Sequence, residues 1–408
     1  MNTNAIGSII HLDCPARWLK TVWSFIHETP LQSDQRRKAL GDMGKDVTLQ
    51  SEDLTGFIER IFRAAGADGS EAEAIATHLV DANLAGHDSH GVVRVPRYLE
   101  GAAKGQMKFG QTAEVITQSD TFALLDGQNG FGQVLGRQAV ELGVEKAKQE
   151  GTAVIGLKNS GHLGRIGALA ELACAQGIVS IHFVNVAQSM LVAPFGGAER
   201  RISTAPVAIG FPNENGDDFL LDFATSKIAE GKALVALNAN NIVPMGSLVD
   251  GSGQPTHDPA VLYGDVPAGG VPNPRHGPGA LLPMGDHKGS GLALACELLA
   301  GALTGSGTTG PGSAPHNGML SIFIAPGAFQ NEGGLPEAVN SYIEFVRSAA
   351  PTDTSKPVQI PGDPERAKKS ERLANGVPLS AETWESLKLA AQTYQIPETD
   401  FPAPRPKR

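Results

Sequence analysis

From Ser51 onward apolar residues recur at helical spacing. Leu54, Phe57, Ile58, Ile61 and Phe62 share one face, which predicts an amphipathic helix. Ser70 and Glu73 stand three apart as a capping box ahead of a helix over 74–85, and Gly86 closes it. A third, short helix starts near Pro96 and ends by Gly105. The pattern then alternates. Residues 115–117 and 121–125 predict a hairpin, 132–149 a helix, 153–157 a buried strand, 165–175 a helix followed by Gly177, and 179–184 a strand. Between Pro194 and Pro283 short strand-like runs dominate: 207–211, 219–223 and 242–248, with turns such as Asp250-Gly251-Ser252-Gly253 between them. A long apolar helix follows over 288–304, with Leu292, Ala293, Cys296, Leu299 and Ala300 on one face. A strand over 321–325 and helices over 336–347, 365–374 and 381–392 complete the chain. The pattern predicts a helical layer drawn from both chain ends around a central β-rich insertion.

Composition narrows the function. A chain of 408 residues, 42.6 kDa, is long enough for two or three domains and a sizeable core. Hydrophobic residues at 41% and charged residues at 19% place it among ordinary globular proteins. A net charge of −10 with no dense basic stripe argues against nucleic-acid or anionic-membrane partners. No apolar run approaches a membrane span, and no signal peptide is read. Cys14, Cys174 and Cys296 are too few and too scattered for a disulfide framework, so the expected setting is reducing and cytoplasmic. The 49 glycines point to many tight loops and close backbone approaches, as in a ligand-binding α/β enzyme. Residues 1–47 differ from the rest and hold Trp18 and Trp23. Two readings stand side by side: translation that starts at Met43, or a flexible or docked extension. The Pro-rich tail from Phe401 to Arg408 is expected to fray.

Four polar clusters are candidates for chemistry. His87-Asp88-Ser89-His90-Gly91, with Arg94, Arg97 and Tyr98 beyond, could be a capped surface loop, a polar ligand pocket or a metal site. Asn159-Ser160-Gly161-His162-Leu163-Gly164-Arg165-Ile166-Gly167 joins a predicted strand to a predicted helix. A glycine-flanked histidine there suits general acid–base work, or caps the next helix. Asp222, ending an apolar run before Thr225 and Ser226, is a carboxylate that needs a partner if buried, or an N-cap. Asp286-His287-Lys288-Gly289 opens the long helix and suits an anion or a cap. Gly305-Ser306-Gly307-Thr308-Thr309-Gly310 spells the dinucleotide fingerprint, but it lacks the strand–turn–helix setting. A mobile loop is expected there, and a Rossmann domain is not supported. No P-loop, nucleophile elbow or H-E-x-x-H is present.

Taken in order, Ala85–Gly91, Asn159–Gly167, Val192-Ala193-Pro194-Phe195-Gly196-Gly197, Asp222–Ser226 with Gly231-Lys232, and His287-Lys288-Gly289 with Gly291-Leu292 resemble the type-2 malate/L-lactate dehydrogenases. These are unrelated to the Rossmann lactate dehydrogenases, and the likeness runs from about residue 50 to 396. It implies an α/β, non-Rossmann NAD(P)-binding fold of the L-sulfolactate dehydrogenase kind. In that fold a mostly antiparallel sheet is inserted in a helical domain built from both chain ends. Residues 48–112 with 286–396 would form the helical substrate and dimer domain. Residues 113–158 would connect, 159–285 would bind NAD(P), 1–47 would be an extension without counterpart, and 397–408 a tail. The resemblance implies a homodimer, NAD or NADP as cofactor, no metal, and reversible hydride exchange with a small 2-hydroxy acid or 2-oxo acid. His162 falls on the catalytic histidine, with Asp222 beside it in the catalytic set. Ser89, His90, Arg94 and Tyr98 fall on the substrate side. The cofactor residues implied are His90, Gly164, Arg165, Ile166, Leu220, Leu221, Asp222, Phe223, Ala224, His287, Asn317, Gly362, Asp363, Pro364 and Glu365. Ser203-Thr204-Ala205-Pro206 departs from the frequent Gly-Thr-Asn-Pro, and Asn185–Leu191 also departs. The competing reading is a metal-dependent hydrolase using His87, His90, His162 and Asp222.

Overall fold

The computed structural model describes residues 46–405, apart from 215, 239–240, 266–272, 313 and 330–333. The readings made for residues 1–45, including Met43 as a start, lie outside the described residues.

The first core is helical. Helices α1 (Ser51–Ala64), α2 (Gly69–Leu84) and α3 (Val95–Ala103) bury Leu54, Phe57, Ile58, Ile61, Phe62, Ile75, Leu79 and Leu99. Trp384, Leu387 and Ala391, near the other end of the chain, close the same cluster. A short strand β1 (Val47–Leu49) pairs antiparallel with a strand at Val377–Leu379, so early and late segments of the described residues meet in this layer. The α2 cap sits two residues earlier than predicted. Asp68 is the N-cap, accepting from Glu71 N at 2.9 Å, while Glu71 turns inward and accepts from Gly110 N. An aspartate two residues upstream of Ser70 competes for the same free N–H groups and wins.

The second core lies on one face of a seven-stranded sheet. Its strands are β2 (Glu114–Gln118), β3 (Phe122–Asp126), β4 (Thr152–Ser160), β5 (Val179–Ala187), β6 (Pro206–Phe211) and β7 (Phe219–Ala224), with the later strand at His316–Ile324 between β4 and β5. Only β3 and β4 run parallel; every other pair is antiparallel. Helices α4 (Gly132–Glu150) and α5 (Gly167–Cys174) cover one face through Leu135, Ala139, Leu169, Ala170, Ile155, Met319 and Phe323.

Four expectations from the sequence are corrected. Residues 242–248 form no strand, because Pro244 lacks an N–H and Gly246 has φ +71; only Leu248–Val249 pairs, in a small three-stranded sheet. The helix expected over 288–304 is α-helical only over His287–Cys296 and then π-helical over Glu297–Leu303. That wider turn brings Glu297 inside, where it accepts from Ser203 Oγ, Asn185 Nδ2 and Thr309 N. The loop expected to be mobile is tied down by those bonds: Ser306 is buried and Gly307 O accepts from Asn185, while Gly305, Gly307 and Thr308 are exposed. The tail is docked as far as Arg405, whose N donates to Thr48 O, and Phe401 packs edge-on to Phe57 at 5.2 Å. Periodicity also missed the helix at Glu230–Asn238.

Candidate functional site

Where β4 ends, the chain turns sharply. Asn159 adopts φ +53, and its side-chain amide donates to both oxygens of Asp126 at 3.1 Å. Asparagine tolerates this left-handed conformation better than most residues. Gly161 N donates to Gly130 O and Leu163 N to the buried Asn317 Oδ1, so His162 is fixed from both sides. A Cβ on Gly132 would stand 2.4 Å from the His162 carbonyl, so the start of α4 can approach this loop only as glycine. His162 Nδ1 lies 2.7 Å from Tyr98 Oη. No protein partner is found for Nε2 among the described residues. Burial, then the charge of Arg94, then His90, Arg97 and His78 hold the His162 imidazole well below its ordinary value, so it is neutral at pH 7.

The segment after α2 brings its polar residues to the same place. Asn83 Oδ1 accepts from Val92 N and its amide donates to Asp88, which Arg372 holds by a two-point contact. So braced, the segment lays the His90 ring nearly parallel to His162, with centroids 5.7 Å apart. Ser89 Oγ is 3.1 Å from His90 Nδ1. Burial, reinforced by Arg94, pushes the His90 imidazole down to about 3. Arg94 Nε donates to Ser89 O at 2.5 Å, and no protein partner is found for its two terminal nitrogens among the described residues. Tyr98, nearly fully buried on α3, has its phenol raised to about 12 by burial. Ser89, His90, Arg94, Tyr98 and His162 therefore come together.

The cofactor candidates are divided. Asp222, on β7, accepts from Gly167 N at 2.8 Å at the start of α5, and burial raises its carboxyl. Glu365 Oε1 is 3.3 Å from His87 Nε2. Helix α5 therefore begins on a carboxylate. Arg165 is no free cation: it is buried between Asp81 at 2.8 Å and Glu171 at 2.6 Å, and its N donates to His78 Nε2. Gly164, at φ +79, leaves room for His78, whose Nε2 would stand 2.2 Å from a Cβ there. Gly164 and Ile166 are buried with Arg165 in the same loop. Leu220, Leu221, Phe223 and Ala224 are half-buried along the sheet's edge. Asn317 supports the His162 loop and donates to Asn185 O. His287 is exposed and meets Phe195 edge-on. Gly362, at φ +99, caps the helix at Asp363–Asn375, whose first residues are Asp363, Pro364 and Glu365. Asp363 is engaged by Arg347 and Arg366.

Sequence reasoning missed His78, Gln133, Asn83 and Asp81, all on helices. His78 does fall on the apolar face of α2 three residues after Ile75, a signal that the periodicity contained. Ala205 carries φ +27 in the segment that departs from the family pattern, and Ser203 there bonds to Glu297. The metal-hydrolase reading loses its donor set: among the described residues no three of His, Cys, Asp and Glu stand together to hold a metal ion.

A non-Rossmann, mostly antiparallel sheet with a neutral histidine beside an arginine defines the class, and comparison fixes the family. Residues 49–388 match the malate/L-lactate dehydrogenase family model, and the chain belongs to that family; it is a 2-hydroxyacid dehydrogenase. It is 39% identical over 364 residues to hydroxycarboxylate dehydrogenase B of Escherichia coli K12, covering 87% of this chain and 96% of that protein. It is 31% identical to the L-lactate dehydrogenase of Cupriavidus necator, over 80% of this chain and 91% of that one. The solved structure of sulfolactate dehydrogenase from Methanocaldococcus jannaschii superposes with a TM-score of 0.76 at 32% identity, covering 87% of this chain and 99% of that one.

Proposed function

We propose that this chain exchanges a hydride between a nicotinamide cofactor, NAD or NADP, and a small 2-hydroxy or 2-oxo acid, with His162 as the general acid–base group. The observation that carries the reading is the surround of His162. Its ring, open at Nε2, feels the charges of Arg94 and Arg97, a setting that attracts an anionic substrate. Arg94 would hold the substrate carboxylate through its two terminal nitrogens, a fork that matches a carboxylate. His90 would form one wall by stacking, and Ser89 orients His90.

The residues present fit the cofactor. Among the described residues β7 is an edge strand, and on its outer side Leu220 N donates to Pro361 O. By the alternation of the ladder, the N–H groups of Asp222 and Ala224 point the same way and suit the carboxamide and hydroxyl groups of a nucleotide. When bound, the nicotinamide ring supplies the hydride donor or acceptor. Asp222, with His87 and Glu365 nearby, would fix ligand groups along that edge.

Self-association as a homodimer belongs to the same reading. Phe122, Val154, Ile322, Ile181 and Ile209 are paired across five strands and form an apolar row on the sheet face opposite α4, with Phe122 42% exposed. A reducing, cytoplasmic setting agrees with free, buried Cys174 and Cys296. No helix among the described residues is long and apolar enough to cross a membrane.

The test follows nicotinamide absorbance with a panel of 2-oxo acids and both reduced cofactors. Oxidation of NADH or NADPH by at least one 2-oxo acid is expected. Inactivity across the panel, with activity that tracks a stoichiometric bound metal, would return the hydrolase reading.

A further inference from the structure

Gln133 sits at the start of α4, 3% exposed, and the roles assigned above do not use it. Its Nε2 lies 3.0 Å from Tyr98 Oη and 3.0 Å from the carbonyl oxygen of His162, while its Oε1 meets no partner. A carbonyl oxygen only accepts, so the amide end facing it must be the NH2 group. One N–H goes to His162 O and the other to Tyr98 Oη. The Tyr98 oxygen therefore accepts from Gln133 and donates its single proton to His162 Nδ1 at 2.7 Å. A neutral imidazole that accepts at Nδ1 carries its own proton on Nε2. The opposite tautomer would place two donors on Oη and leave the Tyr98 proton without an acceptor among the described residues.

We propose that Gln133 and Tyr98 are positioning residues that lock His162 in the Nε2–H form, so that the resting protein offers a proton to a 2-oxo acid, and that hydroxy-acid oxidation is gated by ionisation of the linked Tyr98–His162 pair. This rests on His162 as the acid–base group. In the reducing direction the substrate oxygen forms its O–H bond with the Nε2 proton as the Nε2–H bond breaks. Nδ1 takes the Tyr98 proton, and the Oη–H bond breaks. The pair is then one proton short: a phenolate that accepts from Gln133 Nε2–H and from Nδ1–H, later restored by water. Oxidation runs the same steps backwards and starts from that deprotonated pair.

The groups acting on the pair allow this. His162 feels Arg94, His90, Arg97 and His78; Tyr98 feels Arg94, the Gln133 amide and Arg97. None of them is a carboxylate, so among the described residues none of these groups stabilises an imidazolium in place of the Tyr98 contact. Burial is the largest influence on the Tyr98 phenol and opposes its ionisation, which keeps the proton on the resting pair, while the two arginines and the Gln133 amide work towards a phenolate.

Two measurements on the full chain test this. The first is 15N NMR of histidine-labelled protein without ligand at pH 7, with His162 assigned by the signal lost in His162→Asn. A proton on Nε2 and an accepting Nδ1 are expected, with a shift towards mixed tautomers in Tyr98→Phe and Gln133→Met. The second is the pH dependence of kcat/KM in both directions. Oxidation is expected to rise about tenfold per pH unit from pH 6 to 9 while reduction stays flat, and the oxidation slope should flatten in Tyr98→Phe. A proton on Nδ1 in the unmodified protein, or an oxidation profile flat over that range, overturns the proposal without recourse to either variant. If His162→Asn keeps its turnover, the acid–base reading itself has failed; if it is inactive and the tautomer is the other one, only the present proposal has.

Discussion

His182 lies in the middle of the seven-stranded sheet, and His162 lies in the loop that leaves it. Burial pushes the His182 imidazole down to about 3 and holds His162 well below its ordinary value as well. Their partners differ. His182 is closed at both ring nitrogens, by Ser321 Oγ at 2.8 Å and Ser180 Oγ at 3.0 Å, with Phe323 edge-on to the ring. His162 is held at Nδ1 only. A depressed histidine is thus no mark of a site by itself; a depressed histidine with one nitrogen open among cations is.

The sharpest way to break this contrast is to remove each ring in turn. His162→Asn should fold, bind cofactor and lose roughly 10²- to 10⁴-fold in kcat, the usual worth of a general acid–base group. Turnover above half of the unmodified protein would dissolve the distinction from the functional side. Arg94→Lys comes next. The charge survives but the two-point fork does not, so kcat/KM for the best 2-oxo acid should fall about 10- to 100-fold, with cofactor Kd from fluorescence titration within about twofold. If cofactor affinity collapses instead, the cations around His162 serve the nucleotide.

His182→Leu should act in the opposite way. It leaves the Ser180 and Ser321 hydroxyls unsatisfied in the sheet, at a cost of about 1–3 kcal/mol, with turnover per folded molecule unchanged. Urea unfolding beside steady-state rates checks both halves. The same residue shapes the acid limb of stability. His78, His90 and His182 have folded values near 4, 3 and 3 against an ordinary 6.5. The unfolded chain therefore binds protons that the folded one refuses. Stability is full above pH 6.5 and falls as pH drops towards 4, by up to about 1.4 kcal/mol per pH unit for each histidine. His182→Leu should make that slope shallower by one histidine's share. A slope indifferent to His182 would mean that its ring is charged in the fold.

The smallest effect concerns Asp222. Burial raises its carboxyl, so ionisation costs stability at neutral pH, while Gly167 N needs only an oxygen acceptor. Asp222→Asn is expected to raise the melting temperature slightly at pH 8, to leave it unchanged near pH 4, and to weaken cofactor binding. A lower melting temperature at pH 8 would show that the α5 start requires the full negative charge.

Much of the fold was legible because burial imposes a period. The α1 face, the helix over 132–149 and the strands near 153, 179, 207 and 219 follow directly from it. The site was legible where glycine and polar residues cluster beside a strand end, as around His162. Other features were hidden for a common reason: they depend on partners far along the chain. Gln133 reads as an ordinary first-turn residue until Tyr98 and the His162 carbonyl are brought to it. Arg165 reads as a cofactor residue by resemblance until Asp81 and Glu171 take up its guanidinium. Glu297 reads as the polar side of an apolar helix until a π-turn carries it inside to Ser203, Asn185 and Thr309.

By itself, the sequence determined most of the helices and strands, but not the helix at Glu230–Asn238 or the π-helical stretch from Glu297. It also determined which residues are acid, base and cation, and the family whose motifs it carries. These are local properties: side-chain chemistry, 3.6- and two-residue periods, and short spacings that any folded arrangement preserves. Tertiary structure decided which nitrogen of His162 is taken by Tyr98, which arginine keeps its terminal nitrogens without a partner among the described residues, and which carboxylates meet a helix start. Apart from the short-range Arg165–Glu171 pair, those outcomes rest on hydrogen bonds of about 3 Å between groups 29 to 154 positions apart. Such bonds are set by how β4, α3 and α4 pack together, because burial makes each polar atom find a partner in whatever strand or helix is packed against it.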